Sequence, residues 1–307
     1  MGRKALIFPG QGAQKVGMGK DLYDAVPSAR AIYEGANAVL DFDLARLCFD
    51  GPEAELNDTA VCQAAVLVTS VAALEALKVT RGPAAAEADM TAGLSLGEYT
   101  ALVYAGAVRF EDAVRLVRQR GLFMKEAGKL NPGAMSSVLG MPRNALMEVV
   151  ASCRDQGVLV AANFNSPGQI VLSGSLPAIE AAEGLARQRG ARRVVRLAVS
   201  GAFHSPLMQP AADQLAAELR RTEVAAPRVP LVSNVTARYV TTAAEVRELL
   251  ARQLTSPVLW EDSMRFMIAE GMTEALEVGP GRVLSGLLAK TDPSIATQNV
   301  GVLADLE

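Results

Sequence analysis

Residues 93–97, Gly-Leu-Ser-Leu-Gly, place a serine between two glycines and constrain the fold more than any other stretch of the chain. Short, partly apolar residues precede it and predict the end of a buried strand, and residues 96–104 have the composition of a helix. A serine between glycines at a strand-to-helix junction is the nucleophile-elbow pattern, whose sharp turn leaves almost no room for neighbouring side chains. The helix N-terminus behind the serine favours a developing negative charge. The pattern indicates that Ser95 is a nucleophile, and an ordinary tight turn is the alternative.

Composition narrows the class of protein. Half of the 307 residues are apolar but only 5% are aromatic, so the core is built mainly from Ala, Val and Leu, which suits helices packed on a parallel sheet. The formal net charge of −3 gives no electrostatic basis for binding nucleic acid. Three widely spaced cysteines have neither a disulfide nor a zinc-site pattern and fit a reducing compartment. With no signal-peptide pattern and no apolar run of membrane-spanning length, we expect a cytoplasmic protein without a bound metal.

The chain changes character at residues 131–133, Asn-Pro-Gly. Before this break, a strand over 5–8 and long helices over 28–40, 60–79 and 111–129 are predicted. After it, βαββαβ order is predicted, with elements over 134–139, 143–153, 158–163, 169–173, 177–189 and 193–198. We therefore predict an α/β fold in which residues 1–129 and 200–307 form a large domain with a hydrolase-like parallel sheet. Residues 130–199 form a small inserted ferredoxin-like domain, and residues 273–278 are predicted to be the last core strand.

Arg120 is an anomaly on an amphipathic helix. When the helix over 111–129 is projected at 100° per residue, Arg120 falls in the middle of the apolar face. An arginine buried without a partner is costly, so Arg120 either pairs with a protein carboxylate or binds an anionic ligand. Periodicity alone favours the pair with a carboxylate.

His204 is the only histidine in the sequence and therefore the only histidine that could serve Ser95 as a base. A lone histidine is more often structural, but residues 200–206 return the chain to the large domain, where a site is expected. No Asp or Glu between Ser95 and His204 has a setting diagnostic of a triad acid. A backbone carbonyl can hold the imidazole Nδ1–H instead.

Six motifs occur in the order and spacing of one family, and together they cover essentially the whole chain. They are residues 8–12 (FPGQG), 93–99 (GLSLGEY), 120–121 (RG), 163–167 (NFNSP), 201–205 (GAFHS) and 279–281 (GPG). In these motifs the chain resembles the malonyl-CoA:acyl-carrier-protein transacylases of fatty-acid synthesis. Acyltransferase domains of polyketide synthases share the pattern. The resemblance also implies a hydrolase-like sheet domain with a ferredoxin-like insert.

The resemblance implies a role for each catalytic residue. Ser95 attacks the malonyl thioester and His204 is the general base. The backbone N–H groups of Gln11 and Leu96 form the oxyanion hole. Gln253 corresponds to the family residue whose main-chain carbonyl orients the histidine, which accounts for the missing acid.

The resemblance also implies the substrate-binding residues. Arg120 corresponds to the arginine that pairs bidentately with the malonyl carboxylate, which favours the ligand over a protein carboxylate. Asn163 and Gln63 are expected to bind substrate. The chain departs from the family at Leu94, where a histidine is usual, and at residues 62–65, where Cys-Gln-Ala-Ala replaces the usual Thr-Gln-Pro-Ala.

The expected partners are malonyl-CoA and an acyl carrier protein, whose phosphopantetheine thiol accepts the acyl group. No cofactor, nucleic acid or membrane is expected, and the chain is predicted to be a monomer. Three alternatives remain: a free-standing polyketide-pathway acyltransferase, a serine thioesterase or acyl hydrolase, and a non-catalytic carrier-binding module. Arg120 argues against the hydrolase, because a neutral acyl group needs no buried guanidinium.

Five arginines in ten residues mark the end of the predicted small domain. They are Arg187, Arg189, Arg192, Arg193 and Arg196. Cations suit the end of a helix, so a solvated helix terminus is one interpretation. The other is a docking patch for an acidic carrier protein.

Overall fold

The computed structural model describes residues 2–307. The strands are β1 Arg3–Phe8, β2 Met90–Gly93, β3 Gly133–Leu139, β4 Leu159–Ser166, β5 Gln169–Ser175, β6 Arg193–Arg196, β7 Leu231–Val232, β8 Tyr239–Val240, β9 Met272–Val278 and β10 Ala296–Val300. The helices are α1 Lys20–Ala25, α2 Pro27–Val39, α3 Leu44–Asp50, α4 Glu53–Leu56, α5 Thr59–Arg81, α6 Gly97–Tyr104, α7 Phe110–Leu130, α8 Arg143–Ser152, α9 Leu176–Gln188, α10 Gln209–Arg221, α11 Ala243–Gln253, α12 Trp260–Ala269 and α13 Val283–Thr291.

A six-stranded sheet forms the centre of the large part of the molecule, in the order β10-β9-β1-β2-β7-β8. All neighbours pair in parallel except β7 and β8, which are antiparallel. Residues 5–8 of the central strand β1 are fully buried. Leu6 and Phe8 pack with α2, α5 and α7 on one face, and Ala5 and Ile7 pack with α12 and α13 on the other. Burial on both faces explains the continuous apolar run of β1.

Helix α5 is the main core helix. It is 23 residues long, and its best window has a mean hydropathy of 1.8, so by length and composition it could span a membrane. The expectation that no apolar run reaches that length is therefore wrong. However, 89% of that window is buried inside the fold, which is typical of the core helix of a globular protein and confirms the prediction of a buried helix here.

The second sheet is antiparallel, in the order β4-β5-β3-β6. This order and the αβ connections confirm the predicted ferredoxin-like βαββαβ arrangement. Helices α8 and α9 pack with it around a separate apolar core. Strand β4 is joined to the loop before α12, because Val258 N donates to Ala162 O at 2.8 Å and Phe164 N donates to Val258 O at 2.9 Å. The boundaries of the two predicted domains stay a prediction.

Three regions differ from the sequence-based expectation. Strand β10 pairs with β9 at the edge of the large sheet, so β9 is not the last core strand. The apolar pattern misses β10 because most of its residues are exposed or half-buried. Helices α3 and α4 and strand β8 are short, and the sequence analysis does not predict them.

Candidate active site

The predicted elbow lies between β2 and α6, as the sequence indicates. A Cβ atom on Gly93 would overlap the backbone of Gly97, and one on Gly97 would overlap the carbonyl of Phe8. Both glycines are therefore required by close packing of the backbone. Ser95 itself has φ 49°, in the left-handed region that non-glycine residues rarely adopt.

Ser95, His204 and Gln253 form a hydrogen-bonded chain. Ser95 Oγ lies 2.8 Å from His204 Nε2, and His204 Nδ1 lies 2.8 Å from the main-chain oxygen of Gln253. A carbonyl oxygen can only accept, so Nδ1 carries the proton and Nε2 is free to accept the serine proton. A backbone carbonyl thus occupies the place of the triad acid. His204 also has a positive φ, 57°, so both members of the pair are held in strained backbone conformations.

His204 is 5% exposed, and its environment sets its protonation state. Burial, and secondly the positive charge of Arg120, lowers the pKa of His204 to about 4. The imidazole is therefore neutral at neutral pH, which is the form that a general base requires.

Arg120 is 1% exposed and points into the same site. Its Nη1 donates to Gln63 Oε1 at 2.7 Å, and its Nη2 donates to Gln253 Oε1 at 2.9 Å and to Ser95 Oγ at 3.1 Å. Its Nε has no acceptor within residues 2–307. No Asp or Glu among those residues forms an ion pair with it, so the interpretation that Arg120 pairs directly with a protein carboxylate is wrong.

Two backbone N–H groups fit the predicted oxyanion hole. In the part of the chain that the structure describes, neither Gln11 N nor Leu96 N donates to a protein acceptor. The amide of Ser95, in contrast, donates to Asn234 Oδ1 at 2.6 Å. The role of Gln11 and Leu96 stays a prediction, and their free donors are what that role requires.

A cavity opens in front of Ser95, between the two sheets. Gln11, Ser95 and His204 line it from the segments that follow β1, β2 and β6, and Asn163 lines it from β4 of the small sheet. The predicted residue Gln63 does not line this cavity but holds Arg120 from behind. Four of the eight predicted residues thus line one cavity, and Leu96 follows Ser95 at the elbow. The other three, Gln63, Arg120 and Gln253, are joined by hydrogen bonds next to it.

Two residues of the site carry no role in the sequence analysis. Glu98 is 2% exposed, and its Oε2 accepts from Gln253 Nε2 at 2.7 Å and from Asn234 N at 3.2 Å. Burial raises the pKa of Glu98 to about 7. Asn234 Nδ2 donates to Gly93 O at 2.7 Å, so its amide clamps the elbow from both sides. The signal for Glu98 in the sequence is that it is a charged residue within the otherwise largely apolar helix α6.

Comparison with known proteins identifies the family of the chain. The model of the acyl transferase domain family matches residues 5–303. The chain is 46% identical over 298 residues to a malonyl CoA-acyl carrier protein transacylase of Bacillus subtilis, which covers 97% of this chain and 93% of that protein. It is 43% identical to the protein of the same name from Escherichia coli, over 92% of this chain and 91% of that protein.

Solved structures give the same result. The malonyl-CoA:acyl carrier protein transacylase of Xanthomonas oryzae has a TM-score of 0.95 and 40% identity, over 99% of this chain and 96% of that chain. A malonyl-transacylase in complex with its type II PKS acyl-carrier protein has a TM-score of 0.94 and 39% identity, over 99% of this chain and 97% of that chain.

The low pKa of His204 predicts how the reactivity of Ser95 depends on pH. Labelling of Ser95 by an uncharged fluorophosphonate should keep its neutral-pH rate as the pH falls to about 5, and should fall only as the pH approaches 4, where the imidazole becomes protonated. The measurement is the labelling rate by intact mass, with circular dichroism at each pH to confirm folding. Arg120→Ala should move the fall to higher pH. A wild-type midpoint near 6.5, the ordinary histidine value, would contradict the prediction.

Proposed function

The chain belongs to the acyl transferase family, and on that premise we propose that it transfers the malonyl group of malonyl-CoA to the phosphopantetheine thiol of an acyl carrier protein. One observation supports this function above the others: a buried guanidinium with no carboxylate partner among residues 2–307 lies 3.1 Å from the hydroxyl of the nucleophile. The enzyme is thus an acyltransferase whose substrate carries a negative charge close to the reacting carbonyl.

A malonyl thioester fits the 3.1 Å distance between Arg120 Nη2 and Ser95 Oγ. Its carboxylate is one methylene away from the carbonyl carbon that Ser95 attacks. The planar guanidinium of Arg120 can bind a carboxylate through two charge-assisted hydrogen bonds, and its Nε is still without an acceptor in the described residues. Binding through Arg120 would therefore hold the thioester carbonyl near Ser95 Oγ.

Acylation proceeds through the hydrogen-bonded chain described above. His204 Nε2 takes the proton from Ser95 Oγ as the oxygen attacks the thioester carbonyl. The negative charge on the tetrahedral intermediate is stabilised by the N–H groups of Gln11 and Leu96. The C–S bond then breaks, and the imidazolium gives its proton to the departing thiolate of CoA. Gln253 O, which accepts from Nδ1, stabilises the imidazolium while it exists.

Transfer to the carrier is the reverse chemistry with a different thiol. His204 takes the proton of the phosphopantetheine thiol, whose sulfur attacks the acyl-serine. Breakage of the ester C–O bond returns the proton to Ser95 and releases the malonyl-carrier thioester. One site with one base therefore serves both half-reactions.

The finer assignments are proposals of the same kind. We propose that the malonyl-carrier supplies extender units for fatty-acid synthesis, and that the enzyme works as a cytoplasmic monomer without a cofactor. One similar solved structure is a malonyl-transacylase in complex with its type II PKS acyl-carrier protein, and this supports a polyketide carrier as the second candidate acceptor. Transfer rates to carriers of both classes would distinguish the two.

The proposal predicts a covalent intermediate on one serine. Mixing with malonyl-CoA should add one malonyl group to the wild type, detected by intact mass, and the carrier thiol should remove it. Ser95→Ala should abolish the adduct, and His204→Ala should slow its formation by about 10²- to 10⁴-fold, the usual contribution of general-base catalysis. Ser152→Ala, at an exposed serine, is the matched control. An undiminished adduct in Ser95→Ala would refute the mechanism.

Arg120 predicts the selectivity for malonyl over acetyl. Losing one member of a buried charge pair costs about 2–5 kcal/mol, and 1.4 kcal/mol is a factor of ten. Arg120→Ala should therefore lower kcat/KM for malonyl-CoA by about 10² or more, whereas kcat/KM for acetyl-CoA holds or rises. Arg120→Lys should rescue poorly, because an ammonium group cannot form two parallel hydrogen bonds. Arg115→Ala, exposed on the same helix, is the control. Equal losses for both substrates would assign Arg120 a structural role.

The five arginines near β6 are not equivalent in the structure. Arg187 and Arg196 pair with Glu183, and Arg189 pairs with Glu148. Arg192 and Arg193 are exposed, and neither forms an ion pair with a carboxylate of residues 2–307. The docking-patch interpretation therefore rests on these two.

We expect the double reversal Arg192→Glu/Arg193→Glu to slow transfer from the acyl-enzyme to the carrier and to weaken the salt dependence of that step. Acylation by malonyl-CoA should be unchanged, because the substitutions do not touch the buried site. Stopped-flow measurement of each half-reaction tests this, with the exposed Arg220→Glu as the control reversal. Equal losses in both half-reactions would point to misfolding, and no loss in either would favour the solvated helix end.

A further inference from the structure

Glu98 is a fully enclosed carboxyl group that takes no part in the mechanism above. It lies in the first turn of α6, three residues after the nucleophile, and is 2% exposed. A buried carboxylate is costly unless it is hydrogen-bonded or balanced by a positive charge. Its Oε2 accepts two hydrogen bonds, one from Gln253 Nε2 and one from Asn234 N.

The amide of Gln253 connects Glu98 to Arg120. Gln253 Nε2 donates to Glu98 at 2.7 Å, and Gln253 Oε1 accepts from Arg120 Nη2 at 2.9 Å. The two charges thus orient one fully buried amide from opposite ends. The same residue supplies the carbonyl that accepts from His204 Nδ1.

Other groups that face Glu98 come from each neighbouring element. Arg120 on α7 is the cation that stabilises its charged form, and the amide of Asn234 and the hydroxyl of Ser233, after β7, do the same. Tyr99, next to it on α6, has a pKa raised to about 12 and stays neutral. His204 is neutral at neutral pH. At pH 8, where Glu98 is mostly ionised, the buried group of Glu98, Gln253 and Arg120 in the free enzyme therefore holds one guanidinium and one carboxylate that balances it.

We propose that Glu98 is the internal counter-charge of Arg120, acting through Gln253, and that binding of a substrate carboxylate to Arg120 is coupled to uptake of a proton by Glu98. This inference rests on the proposed malonyl transfer. The substrate carboxylate would be a second anion beside Glu98 and would give the buried group of Glu98, Gln253 and Arg120 a net negative charge. Keeping two carboxylates ionised next to a single cation costs free energy in a buried site. Protonation of Glu98 restores neutrality, while the hydrogen bonds to Gln253 keep the amide in place. Glu98 is a positioning residue in this scheme.

Proton uptake is measurable without turnover. Malonyl-CoA is titrated into Ser95→Ala by calorimetry at pH 8, in buffers with different ionisation enthalpies, and acetyl-CoA is the control ligand. Free Glu98, with a pKa of about 7, is mostly ionised at this pH. We expect uptake approaching one proton per malonyl-CoA bound and essentially none with acetyl-CoA, which carries the same CoA phosphates.

Variants identify the group that takes the proton. Ser95→Ala/Glu98→Gln should bind malonyl-CoA without proton uptake, whereas Ser95→Ala/His204→Ala should retain the uptake. Because Glu98→Gln could fail to fold, infrared difference spectra of Ser95→Ala provide a second measurement. Malonyl-CoA should produce a protonated-carboxyl band that shifts on ¹³C labelling of glutamate.

The outcomes separate this inference from the proposed function. Uptake that persists in Ser95→Ala/Glu98→Gln or disappears in Ser95→Ala/His204→Ala would overturn the role of Glu98. Malonyl-CoA binding with no uptake and no carboxyl band would overturn it as well and leave malonyl transfer intact. If Ser95→Ala bound malonyl-CoA no better than acetyl-CoA, the proposed function and this inference would both fail.

Discussion

The burial of Arg120 beside Ser95, without a direct carboxylate partner in residues 2–307, is the constraint around which the site is arranged. A guanidinium that forms an ion pair in the resting protein would have to break that pair for every substrate. Here two neutral amide oxygens, from Gln63 and Gln253, satisfy part of its hydrogen-bonding capacity and fix its position. Amide oxygens hold the cation more weakly than a carboxylate does, so the group remains available to an anionic ligand.

Strand order explains how residues from distant parts of the chain meet at this guanidinium. β1, β2 and β7 are parallel neighbours, and the loops that follow them carry Gln11, Ser95 and Asn234 respectively. The carboxyl ends of parallel strands share one edge of a sheet, which is where such folds bind ligands. Helix α7 and the end of α11 bring Arg120 and Gln253 to the same edge. The small sheet closes the cavity from the other side.

The sequence predicts the parts of this arrangement that depend on local pattern, and the rest depends on tertiary neighbours. The elbow glycines and the position of Arg120 on an apolar helix face are visible along the chain, and the structure places both as predicted. Asn234 leaves no local signal, because its amide acts on an elbow that is about 140 residues earlier in the chain. Glu98 stood in a recognised motif, but its partners Gln253 and Asn234 are defined only by the fold. Strand β10 was missed because an edge strand need not be apolar.

Arg120 also links substrate binding to the strength of the base. Its charge is the second cause of the low pKa of His204, after burial. Its Nη2 also donates to Ser95 Oγ, which lowers the electron density on the nucleophile. A malonyl carboxylate bound to the guanidinium would offset its positive charge and so raise the pKa of His204. It would also take the Nη2 hydrogen bond away from Ser95 Oγ. An acetyl group has no carboxylate and leaves both effects in place. On the proposed function, selectivity therefore acts on the reactivity of the serine–histidine pair as well as on binding.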